Sequence, residues 1–169
     1  IGSQTVEREK GLIQPWERTA SMAGHNYRMS NLLAGIGYCQ MKKLEKMNNA
    51  RRELAKQYNE LIEEKGLPVE PPYVHPDSRH VFQMYTIKVD AKVRDQLLLF
   101  LRERGVGASV HFAPPVHLHP YYLENYPAQV PLKNAEKLSE TLLTLPLFST
   151  MAEKDVERVV LAISDFFDL

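Results

Sequence analysis

The sequence predicts an α/β chain, and three observations carry that prediction. A seam of apolar residues at alternating three- and four-residue steps runs from Leu33 to Leu61, the period of a helix. Residues 80–89 alternate with apolar side chains on both faces, the pattern of a strand covered on both sides. Between that strand and a second short one at residues 108–112 lies another helical stripe, giving the order strand, helix, strand.

In chain order, residues 1–23 are punctuated by Gly2, Ser3, Gly11 and Pro15, and Glu7, Arg8, Glu9 and Lys10 face no apolar stripe, so an irregular opening is expected. Trp16 and Met22 can anchor its end; the tryptophan packs on a neighbouring surface or lines a ligand site. Ser30 is the expected N-cap of one long helix whose seam is Leu33, Ile36, Gln40, Leu44, Met47, Arg51, Leu54, Tyr58 and Leu61. Gly66 and Pro68 stop it. Its capped start leaves free backbone N–H groups and a positive dipole end beside Asn26 and Arg28, which favour anions and phosphates. Helix capping and salt bridging is the other reading of these two residues.

Pro68, Pro71, Pro72 and Pro76 predict an extended linker. In the strand that follows, Val81, Tyr85, Ile87 and Val89 share one face, and Phe82, Met84 and Thr86 the other. Asp90 caps the next helix, with Val93, Leu97, Phe100 and Leu101 inward and Gly105 as its stop. The crossover rule lays the strands at 80–89 and 108–112 parallel if they are neighbours in one sheet. Pro114, Pro115 and Pro120 predict an extended loop bearing His117, His119, Tyr121 and Tyr122. A helix is expected over 133–143 and a short extended piece over 145–148. Thr150 and Glu153 then form a capping box for a last helix with Val156, Val159, Val160, Ile163, Phe166 and Phe167 inward.

Composition narrows the function. Twenty-one basic and 21 acidic side chains give a formal net charge of zero over 169 residues, so no global field attracts nucleic acid or an anionic membrane. The lone cysteine, Cys39, rules out an internal disulfide framework, fits a reducing, cytoplasmic compartment, and falls near the seam as a small core thiol. No apolar run approaches the roughly 20 residues of a membrane span. His111, His117 and His119 read either as a metal cluster, as packing, or as ligand-binding groups. No cysteine or acid stands close by in sequence to complete a metal site. No nucleophile elbow and no glycine-rich phosphate loop is present.

Gly24-His25-Asn26-Tyr27-Arg28-Met29-Ser30-Asn31, followed by A-G-I-G-Y-C-Q-M-K-K-L, resembles the G-x-N-x-R-M and A-A-x-G-x-x-Q-L-x-K-L signature of the DegT/DnrJ/StrS sugar aminotransferases. The likeness continues through A-S-V-H-F-A-P-P-V-H-L-H-P-Y-Y at 108–122 and L-P-L at 145–147, and so covers nearly the whole chain from Gly24.

The resemblance implies the small carboxy-terminal domain of a fold-type I pyridoxal-phosphate aminotransferase, residues 55–169, preceded by the end of its large domain, residues 1–54. It implies amino transfer from glutamate to a keto-sugar carried on a nucleotide, by a homodimer with a shared active site. Asn26 and Arg28 become cofactor-binding positions, Asn26 toward the phosphate held by the partner subunit. Tyr27, His111, Phe112, His117 and Tyr121 become substrate-binding positions. Phe112 stands where the family commonly has tyrosine and His119 where it more often has glutamine. No metal is implied. The family's cofactor-holding lysine and its ring-nitrogen aspartate lie upstream of the G-x-N-x-R-M motif, and the chain opens on Ile1, so it is expected to begin inside a larger protein and to be inactive alone. The competing expectations are a non-enzymatic α/β module that binds a ligand or partner, and a cofactor-dependent sugar dehydratase on the same scaffold.

Overall fold

The computed structural model describes Gly24, His25, residues 27–126 and residues 130–169. The expected irregular opening with Trp16 and Met22, and Asn26, lie outside the described residues. The chain divides into two compact units, residues 1–42 and 43–169.

In the first unit, helix α1 (Asn31–Met41) starts where the sequence says it should, with the Ser30 side chain accepting from the Leu33 N–H at 3.3 Å. The single long helix is not formed. α1 ends at Met41, Lys43 has φ −101° and ψ −10°, and α2 (Leu44–Glu64) opens without a side-chain cap. The seam residues Leu33, Ile36 and Leu44 are exposed, so no burial of this stretch holds the helix continuous, and Gly35 and Gly37 lower its intrinsic stability. Cys39 is likewise exposed and not a core thiol, because α1 buries none of its residues.

The second unit is built on the later turns of α2, where Leu54, Ala55, Tyr58 and Ile62 are buried. Gly66 then takes φ +60°, a left-handed stop that a side chain resists. Residues 66–84 carry no helix, as the prolines require, and Glu70 makes an isolated antiparallel bridge to Lys88. Strand β1 (Tyr85–Lys88) is shorter than expected: Phe82, at φ +46°, turns the chain before it. Only the Tyr85 and Ile87 face is fully buried; Thr86 is half-buried and Lys88 exposed. Helix α3 (Ala91–Glu103) is capped by Asp90, whose carboxylate accepts from the Lys92 N–H at 2.8 Å, and Leu97 and Leu101 are its buried stripe. Gly105, at φ +73°, ends it.

Three expectations between 108 and 148 are corrected. Residues 108–112 are not a strand but one antiparallel bridge, Ser109 to Thr144, because Phe112 at φ +62° leaves the extended region. The loop after it is not extended: a 3-10 turn (Val116–Leu118) leads into helix α4 (Pro120–Asn125), in which Pro120 occupies the first turn and opens a helix instead of blocking one. Helix α5 (Lys133–Thr141) gives way at once to strand β2 (Leu142–Leu145), where a helix and then an extended 145–148 were expected. β2 pairs antiparallel with β1, Tyr85 facing Leu145 and Lys88 facing Leu142. Since the Ser109 segment is also antiparallel to β2, it runs in the same sense as β1, but β2 separates the two and the parallel neighbour pair is not made.

Helix α6 (Glu153–Phe166) closes the unit. Its cap is Ala152, not Thr150, with the Asp155 carboxylate accepting from the Ala152 N–H at 3.2 Å. Val156, Val159, Val160 and Ile163 point inward as expected and pack against α2 and α3. At the centre of the core the rings of Tyr58 and Tyr85 stack with centroids 4.6 Å apart, both fully buried. The Tyr58 hydroxyl donates to Pro146 O at 3.0 Å and that of Tyr85 to Asn59 Oδ1 at 2.6 Å, so neither polar tip is left unsatisfied. Among the described residues no helix is long and apolar enough to cross a membrane.

Candidate functional site

The candidate site of the second unit forms where the broken strand end at Ser109, the 3-10 turn and α4 meet α5 and the start of β2. These elements form an open, largely apolar cavity of about 560 Å³, lined among others by His111, Phe112, His117, Tyr122, Leu138 and Leu142. The two imidazoles are its principal polar groups, and each is held by one ring nitrogen. His111 Nδ1 lies 3.0 Å from Thr144 Oγ1, and the buried Thr144 hydroxyl is 3.2 Å from Thr86 Oγ1, so a line of polar contacts crosses from β1 through β2 to the cavity wall. Ser109 Oγ is a longer partner at 3.4 Å. His117 Nε2 lies 3.0 Å from Glu136 Oε1 on α5. Phe112 has a left-handed backbone and a side chain 76% exposed, so its conformation costs energy without returning burial; such residues are held by their surroundings and cluster at binding sites.

Thus His111, Phe112 and His117 share one cavity. Tyr121 does not line it. It is exposed on α4, edge-on to the Tyr122 ring at 5.3 Å, and adjacent helical positions point about 100° apart, so Tyr122 faces the cavity instead. His119 is exposed at the start of α4, where its carbonyl accepts from the Tyr122 and Leu123 N–H groups. Among the described residues no group of three or more metal-ligating side chains gathers, which leaves the three histidines without a metal arrangement there.

In the first unit, Tyr27 is exposed and stacked on His25 with centroids 5.1 Å apart, and Arg28 is exposed, with no hydrogen bond or ion pair among the described residues. Asn26 lies outside them.

Sequence reasoning missed Glu136 and Thr144. Glu136 stands 19 residues after His117, beyond any local search for an acid, and Thr144 falls in a strand that the sequence divides between the end of the 133–143 helix and the extended piece over 145–148. A polar residue between leucines in L-L-T-L was the available signal for the second. Replacing it tests the polar line: Thr144→Val keeps the β-branched shape, removes the nearer partner of His111 Nδ1, and is expected to cost about 0.5–1.5 kcal/mol in urea unfolding. An unchanged midpoint would mean that the hydroxyl contributes nothing.

A two-stranded sheet backed by helices α2, α3 and α6 corresponds to part of a fold-type I pyridoxal-phosphate aminotransferase. The structure of DesV from S. venezuelae matches with a TM-score of 0.81 at 26% identity, over 92% of this chain and 41% of that one. NtdA from Bacillus subtilis, solved with bound PMP, matches with a TM-score of 0.74 at 27% identity, over 84% and 33%. In sequence, the spore coat polysaccharide biosynthesis protein SpsC of Bacillus subtilis is 34% identical over 157 residues, 89% of this chain and 40% of SpsC. The chain belongs to the DegT/DnrJ/EryC1/StrS aminotransferase family, whose model matches residues 5–164, and the family is pyridoxal-phosphate dependent. It spans about 40% of the length of that curated relative.

Proposed function

We propose that this chain is the carboxy-terminal portion of an enzyme that transfers an amino group from glutamate to a keto-sugar carried on a nucleotide, acting in the cytoplasm as a homodimer with a shared site. In this reading residues 1–54 end the large domain and 55–169 form the small one. The observation that carries it is the cavity in which two anchored imidazoles, His111 and His117, stand among apolar walls, within a chain of this family. Few polar groups on an apolar floor suit a sugar ring, whose faces are apolar and whose rim is hydroxylated.

The donor set suits the cofactor's phosphate as well. Arg28 is an exposed guanidinium with no acidic partner among the described residues, and its forked donors match phosphate oxygens. Arg28 and Asn26 would hold that phosphate, Asn26 across the dimer. When bound, pyridoxal phosphate supplies the electron sink that amino transfer needs. The chain's own part is binding and orientation. His111 and His117 hold sugar hydroxyls and Phe112 borders the sugar, while Tyr121, outside the cavity, and Tyr27, in the first unit, would meet other parts of the nucleotide-linked substrate.

The test is an assay of the complete polypeptide with pyridoxal phosphate, glutamate and a panel of nucleotide-linked keto-sugars. An amino-sugar product is expected. A dehydrated sugar would replace transfer by elimination, and no turnover with no retained cofactor would leave a ligand-binding module. In the active enzyme, His117→Ala is expected to raise the sugar KM about tenfold with little change in kcat, the loss of one ground-state hydrogen bond. An unaltered KM would return His117 to packing.

A further inference from the structure

We propose that Glu136 is a positioning residue for His117: it fixes the imidazole proton on Nε2, so that Nδ1 meets the ligand as a hydrogen-bond acceptor. The inference rests on reading the cavity as the sugar site. An ionised carboxylate can only accept, so the 3.0 Å contact between Glu136 Oε1 and His117 Nε2 requires the proton on Nε2. In the neutral ring the other nitrogen then carries a lone pair.

Glu136 is itself fixed before it meets the ring. The same Oε1 accepts from the Leu132 N–H at 2.8 Å, while the Glu136 N–H donates to Leu132 O at 3.0 Å, a reciprocal pair that ties the carboxylate to the first turn of α5. The imidazole is well shielded, its side chain 11% exposed against 32% for Glu136, so water competes poorly for Nε2. His117 Nδ1 has no partner among the described residues. The complementary group on a ligand is therefore a donor, a hydroxyl or an amine, and a carbonyl or ether oxygen facing Nδ1 is rejected by lone-pair repulsion. Glu136 thereby makes a hydroxyl at one position of the sugar a condition of tight binding, although it need not touch the sugar.

Nitrogen-15 NMR of the histidine rings tests this on the ligand-free chain, recorded at about pH 9, where imidazoles are neutral. In the wild type the His117 ring nitrogens should sit at the limits for one tautomer, with the proton on Nε2 and its resonance visible. Glu136→Gln should keep that signature, because the Leu132 N–H selects the amide oxygen, not the NH₂ group, for the ring. Glu136→Ala should move the shifts toward a two-tautomer average and remove the Nε2–H resonance, with the His111 signals unchanged. A wild-type proton on Nδ1 would overturn the proposal even if the alanine variant fails to fold, and so would identical wild-type and Glu136→Ala rings. In the complete enzyme, Glu136→Ala should raise KM about fivefold for a sugar with the hydroxyl and leave KM unchanged for the analogue lacking it. Equal effects on both would also count against it. A fixed Nε2–H in a protein that transfers no amino group would retire the enzymatic reading and leave the positioning role standing.

Discussion

Tyr58→Ala is expected to destabilise the second unit by about 3–5 kcal/mol, the range for deleting a buried aromatic ring. Tyr58 is fully buried, stacked on Tyr85, and its hydroxyl spans from α2 to the Pro146 carbonyl just after β2. Truncation opens a cavity between helix and sheet and leaves that carbonyl without its donor. Tyr58→Phe keeps the stack and loses only the hydrogen bond, at about 1 kcal/mol. The difference between the two variants in urea midpoint, at unchanged m-value, isolates the ring. Because a domain's whole stability is about 5–15 kcal/mol, a loss of this size takes a large share of it and should lower the urea midpoint clearly. If the two variants lose the same amount, the stack is not what joins helix to sheet.

Alkali is expected to unfold the same unit steeply. Burial pushes the phenol pKa of both Tyr58 and Tyr85 up, and Tyr58 is raised further by the neighbouring Tyr85 and Asp155. The folded pKa of each exceeds the unfolded value, so the fold favours the protonated phenol. That contribution is complete below the ordinary tyrosine value of about 10 and is lost as pH rises through it toward the folded values. Over that window stability should fall by up to about 1.4 kcal/mol per pH unit for each tyrosine. Urea unfolding between about pH 9 and 12 measures the slope, and the double variant Tyr58→Phe, Tyr85→Phe should flatten it. An equal slope in the double variant would transfer the alkaline loss to other groups.

What was legible in the sequence was mostly local. Ser30 and Asp90 cap their helices through bonds that span two or three residues, and Gly66 and Gly105 take the left-handed stops for which glycine is chosen. The stripe from Val156 to Ile163 is one face of one helix. The break at Lys42 and Lys43 left no trace, since neither residue is a glycine or proline and the apolar period runs through it. β2 was illegible for a different reason. L-L-T-L continues the apolar stripe of α5, and only pairing with Tyr85 to Lys88 on one side and Ser109 on the other makes it a strand. At the candidate site, the motifs pointed to His111, Phe112 and His117, which the fold gathers into one cavity. Their partners, Thr144 and Glu136, are 33 and 19 residues away and depend on that same non-local packing.

The central position of β2 also orders events during synthesis. β1 and the Ser109 segment flank Leu142–Leu145 and do not pair with each other, so the β2-facing edge of β1 and the Ser109 segment stay open until more than thirty further residues past Ser109 have left the ribosome. A nascent chain halted before β2 would present the apolar faces of α2, α3 and β1 together with open strand edges, and would be a substrate for chaperones or aggregation. The last third of the chain is therefore the cooperative trigger for the whole second unit, and premature termination there should abolish folding instead of trimming it.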